Sequence, residues 1–91
     1  MQHAEVLDAI RQLTRNTFAD LGANSPIEVS ENILIRGETY CGRRFQCGEL
    51  EAIWFVEEDE IKIYGGNGAL VCVMSSDDAL RQSHFVHSRA A

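Results

Sequence analysis

Residues 50–64 read LEAIWFVEEDEIKIY. Leu50, Ala52, Trp54 and Val56 alternate with Glu51, Ile53, Phe55 and Glu57; beyond an acidic tip, Ile61 and Ile63 alternate with Glu60, Lys62 and Tyr64. A period of two marks strands, because successive side chains of an extended chain leave opposite faces. So short a link joins antiparallel neighbours. A two-residue turn at Glu58-Asp59 sets Val56 against Ile61 and Trp54 against Ile63.

The same test extends in both directions. On the N-terminal side lies CGRRFQC, residues 41–47. A turn at Gly48-Glu49 pairs Cys47 with Leu50, Phe45 with Ala52, Arg43 with Trp54 and Cys41 with Val56. On the C-terminal side, a four-residue GGNG turn (65–68) sets Ile63 against Leu70 and Ile61 against Cys72. A three-residue GET turn (37–39), bulged at Gly37 or Glu38, adds Ile33 and Ile35. Five strands result, at about 32–36, 40–47, 50–57, 60–64 and 69–74. One face collects Cys41, Phe45, Cys47, Leu50, Ala52, Trp54, Val56, Ile61, Ile63, Leu70, Cys72 and Met74. Three independent turns agree on one apolar face, and a one-residue slip anywhere would scatter it.

Residues 3–21 supply the cover. Val6, Ile10, Leu13 and Thr17 recur at steps of three and four, and Leu7, Thr14, Phe18 and Leu21 widen the stripe. Gly22 is placed to end this helix, and Pro26 marks the loop that follows. At the other end, Ser75 or Ser76 precedes Asp77 and Asp78, a helix start. That helix is short, reaching to about His84. The expectation is a single α+β domain over residues 1–91, with an N-terminal amphipathic helix packed on a five-stranded antiparallel β-meander and a short C-terminal helix.

Composition narrows the function classes. Net charge is −6 and Lys62 is the only lysine. Phosphate backbones and anionic membranes both need a positive field, so neither nucleic acid nor a membrane surface is an expected partner. No apolar run approaches the ~20 residues of a membrane span, and MQHAEVLDAI lacks the features of a signal peptide. Three cysteines fit reduced thiols better than a disulfide framework. A cytoplasmic location is the expectation from these features.

Few residues point to chemistry. Cys41, Cys47, His84 and His87 are zinc-type ligands, but five residues separate the cysteines along one strand. That holds their sulfurs roughly 20 Å apart, too far for one ion or a disulfide. The two cysteines read instead as small buried hydrophobes. His84 and His87, three residues apart, could share a helix face and a metal, although histidines near a chain end are more often simply solvated. Arg43 and Arg44 could acidify Cys41, but no histidine stands beside it as a base. EEDE (57–60) lacks the alternating ligands of a calcium loop, and GGNG lies between two strands rather than before a helix. No cofactor and no catalytic group is expected.

Two surfaces remain. Ile53, Phe55, Tyr64, Val71 and Val73 gather on the face of the sheet away from the helix, beside Tyr40, Arg44, Gln46, Glu51 and Lys62. Five apolar residues together in water invite association, with either the C-terminal segment or a second subunit. The expected function is therefore a small non-enzymatic protein that dimerises or binds another protein through this face. The alternative is a small-molecule domain or small enzyme that takes an anion or carboxylate at Arg36, Tyr40, Arg43, Arg44 and Trp54, with Arg43 stacked on Trp54.

Overall fold

The computed structural model describes residues 3–24 and 26–81. Helix α1 spans His3–Asp20, followed by β1 (Ser30–Arg36), β2 (Thr39–Cys47), β3 (Leu50–Phe55), β4 (Glu60–Tyr64) and β5 (Leu70–Met74). A second helix, α2, covers 76–81. The strands lie in chain order, each antiparallel to the next. This is the α+β meander with a helix at each end that the alternation predicts.

Both helices carry legible ends. At the end of α1, Ala23 N–H donates to Phe18 O (3.0 Å) and Gly22 N–H to Ala19 O (3.1 Å). That pair of bonds is a Schellman motif, and Gly22 holds its left-handed position at φ +98°. Ser75 begins α2 with a reciprocal capping box. Its Oγ accepts from Asp78 N–H (3.2 Å) and its own N–H donates to Asp78 Oδ2 (3.1 Å).

Register follows expectation between β2 and β3, where Cys47 meets Leu50, Phe45 meets Ala52 and Arg43 meets Trp54. Elsewhere the turns differ. Between β3 and β4, Trp54 faces Ile61 and Ala52 faces Ile63, so the turn holds residues 56–59 rather than two residues. Asp59 explains the extra length. It adopts φ +53°, donates its N–H to Val56 O (3.2 Å), and its carboxylate accepts from Ser76 N–H (3.2 Å) and Oγ (2.9 Å). The turn is thus shaped to anchor α2. A shift of two leaves every side chain on its expected face.

Two bulges do change faces. Between β4 and β5, Ile63 pairs with Cys72 but Tyr64 pairs with Leu70, so Val71 is an extra residue. Leu70, expected inside, moves to the outer side with Tyr64 and is 52% exposed. Between β1 and β2 the turn is the two residues Gly37-Glu38 rather than three, and the expected bulge lies at Cys41 rather than at Gly37 or Glu38, since Leu34 pairs with Gly42 but Ile35 with Tyr40. The extra residue turns Tyr40 to the helix side, contrary to its expected outer position. Ile33 and Ile35 share that helix side by register, as expected. They are nonetheless 55% and 64% exposed, because α1 does not reach over this end of the edge strand.

The core sits between α1 and the sheet. Leu7, Ile10, Leu13 and Phe18 pack with Phe45, Ala52, Trp54, Ile61 and Ile63, and each large side chain buried here is worth ~1.5–3 kcal/mol. Leu21, the expected end of the stripe, is exposed instead. Ala79 and Leu80 of α2 join the same cluster, which places α2 on the α1 side of the sheet.

Candidate functional site

The outer face of the sheet is built by register alone. Gln46, Glu51, Tyr64 and Leu70 form one row across the strands. Arg44, Ile53, Lys62 and Val73 form the next. Leu34, Gly42, Phe55 and Glu60 form the third. Neighbouring strands stand about 4.8 Å apart, so Ile53, Phe55, Tyr64, Leu70 and Val73 make a connected apolar area. Val71 projects from the bulge beside it. Leu70, Val71 and Val73 are about half exposed, and Ile53, Phe55 and Tyr64 are partly buried. Among the described residues no further layer covers this face, because α2 packs on the other one. Leu70 joins this face only through the β5 bulge, whereas Leu34 lies here by the same parity that sets Ile33 and Ile35 on the helix side.

Charges of both signs lie on this face, although the chain carries −6. Arg44 pairs with Glu51 at 3.3 Å. The Lys62 ammonium lies 5.5 Å from the centre of the Phe55 ring, a cation–π contact. Glu60 and Lys62 form no ion pair among the described residues.

The arginine hairpin is organised differently from its expected form. Arg43 points to the helix side and Arg44 to the outer side, as strand alternation requires. Arg43 stacks over Tyr40 (5.7 Å to the ring centre), not over Trp54, and its Nε donates to Tyr40 Oη at 3.1 Å. The bulge at Cys41 brings Tyr40 within reach. Arg43 also pairs with Glu31, which in turn accepts two bonds from Arg11 of α1, at 2.8 and 2.9 Å. The Arg11 bonds above all, aided by Arg43, hold the Glu31 carboxyl below its usual range. Arg43 is held protonated chiefly by its bond to Tyr40. This cluster ties α1 to the edge strand. Glu31 escaped the sequence reading, although it continues the alternation of Ile33 and Ile35.

The five expected ligand residues do not converge. Arg36 and Tyr40 border a cleft of about 340 Å³ with Cys41, Phe55, Glu57 and Glu58. Trp54 is buried, and Arg44 is engaged on the opposite face. A larger depression of about 520 Å³ lies where the end of α1 meets the β2–β3 turn, between Gly22, Glu28, Cys47 and Glu49.

The thiols are free. Cys41 donates to Leu34 O at 3.4 Å, Cys47 packs on the core, and burial pushes the Cys72 thiol up, away from thiolate. Among the described residues no three metal-ligating side chains gather, and His84 and His87 lie outside them. No described helix is long and apolar enough to cross a membrane. Comparison with protein-family models, curated proteins and solved structures returns no match.

Proposed function

We propose that this chain is a small cytoplasmic, non-enzymatic protein that associates with a protein partner, foremost a second copy of itself, through the outer face of its sheet. One observation carries the reading: Ile53, Phe55, Tyr64, Leu70 and Val73 adjoin one another on a face that no other described element covers. Isolated apolar residues are normal on a protein surface, but a connected set, here gathered around Lys62, marks an interaction site. Covering a half-exposed Leu or Val recovers about half of the ~1.5–3 kcal/mol of full burial. Association itself costs ~4–15 kcal/mol, so polar complementarity must add to the apolar gain.

Phe55→Glu tests the reading. It sets a carboxylate beside Ile53, at one end of the stripe, while leaving the helix-side core untouched. The expected result is loss of the complex in light scattering with an unchanged circular dichroism spectrum. An oligomeric state unaltered by the substitution would defeat the proposal.

A small anionic ligand bound at Arg36, Tyr40, Arg43, Arg44 and Trp54 is the alternative. It has less geometric support, because Glu31 and Glu51 already neutralise Arg43 and Arg44. Stabilisation by an anion in a thermal-shift panel would favour it.

A further inference from the structure

We propose that the occupant of the outer face is a second copy of this chain, docked with β4 antiparallel over the partner's β4, so that Lys62 of each protomer meets Glu60 of the other. The inference rests on the interface reading above and specifies how the two copies dock.

The argument is one of charge complementarity. When an apolar face is covered, any charge on it loses water and needs an opposite charge. Arg44 and Glu51 already satisfy each other across β2 and β3. Of the other charges on this face, Arg36 stands on the edge strand, while Glu60 and Lys62, of opposite sign, share β4, and none of the three is in an ion pair among the described residues. Two such residues, separated by two positions, stand roughly 6.6 Å apart along a strand.

A twofold axis lying in the interface plane, across the strands at the level of Ile61, exchanges these two positions. It places Glu60 opposite Lys62 twice, once on each side of the axis. The same operation keeps each strand over its own copy, so Ile53 of each protomer meets Phe55 of the other, and Arg44 meets Gly42. Sheets packed face to face at about 10 Å with strands within about 30° accommodate this overlay. An isologous contact needs one self-complementary patch, and Glu60 with Lys62 supplies one. Elsewhere two copies of a chain with net charge −6 repel each other.

The test is a charge exchange between chains. Lys62→Glu sets two carboxylates together at each of the two contacts, and Glu60→Lys sets two ammonium groups together. Each variant alone should dimerise at least ~10-fold more weakly than the parent. An equimolar mixture should restore a heterodimer, because both contacts then pair Glu with Lys. Native mass spectrometry reads this directly when one variant is labelled with heavy nitrogen. Dimers unaffected by either substitution, or a mixture that yields no heterodimer, would overturn the docking mode. Phe55→Glu separates the two failures. If it dissolves the dimer while the charge variants do not, the face is right and the docking mode is wrong. If the parent chain is monomeric, or Phe55→Glu stays dimeric, the interface reading fails and this inference with it.

Discussion

Gly42→Ala should be far more damaging than its chemistry suggests. Gly42 lies in the middle of β2, between Leu34 and Phe55. A Cβ on its backbone would stand 1.9 Å from the Trp54 carbonyl oxygen and 3.0 Å from its carbon. Ordinary contact needs more than 3 Å, so the β2–β3 pair must separate by over ~1 Å at the centre of the sheet. Backbone atoms cannot rotate away as a long side chain does. Such a separation strains or breaks one or two ladder bonds at ~0.5–1.5 kcal/mol each, and it disturbs packing around buried Trp54. A total of ~3–4 kcal/mol is expected, a large part of the ~5–15 kcal/mol that holds a domain folded. Gly22→Ala is the control. Its Cβ would meet nothing within 4 Å, so only the left-handed φ of +98° opposes it, at ~1–2 kcal/mol. Thermal unfolding followed by circular dichroism compares them. Near 90 residues, 1 kcal/mol shifts Tm by ~4–8 °C, so Gly42→Ala should lose at least ~12 °C and more than Gly22→Ala. A Gly42→Ala protein as stable as the Gly22→Ala control would refute the close-approach argument.

Thr14 is fully buried in α1, and its hydroxyl finds no hydrogen-bond partner among the described residues. Thr14→Val should therefore leave stability unchanged or raise it by ~1 kcal/mol in urea denaturation, and a loss of more than ~1 kcal/mol would reveal a bond to that oxygen. Glu31→Gln should cost ~1–2 kcal/mol at neutral pH, because two guanidiniums lose their carboxylate in a partly solvated site. The pH dependence has a definite sign. The folded-state pKa of Glu31 is depressed, so its contribution is fully present above the usual 4.5 and is lost as pH falls through the lower folded value. Denaturation midpoints of parent and Glu31→Gln should converge below that range, and a gap unchanged down to pH 2 would count against the ion pair. Ser75→Ala removes the cap of α2 and should cost ~1 kcal/mol by the same assay.

Much of the fold was legible because alternation is a local property of the chain. Through Leu50–Phe55 and Glu60–Tyr64 every side chain lies on the face its parity assigns, although the turn between them is two residues longer than expected. That length depended on Asp59 binding Ser76, a contact 17 positions apart, which no local pattern contains. The bulges at Cys41 and Val71 were hidden for a related reason. An extra residue leaves no mark in composition, yet it reverses parity beyond it, and so Tyr40 and Leu70 changed sides. The apolar stripe itself was readable from Ile53, Phe55 and Tyr64, because those residues sit between the two bulges. The ligand grouping was less accessible. Arg43 and Arg44 are adjacent in sequence and therefore opposite in a strand, and the partner of Arg43 came from an edge strand one turn away and a helix beyond it.

Native mass spectrometry of the untagged chain tests the central claim most directly. An interface on the outer face predicts a dimer at twice the 10.2 kDa of one chain, with no additional mass. A species of one chain's mass at tens of micromolar, with or without a bound small molecule, would contradict it.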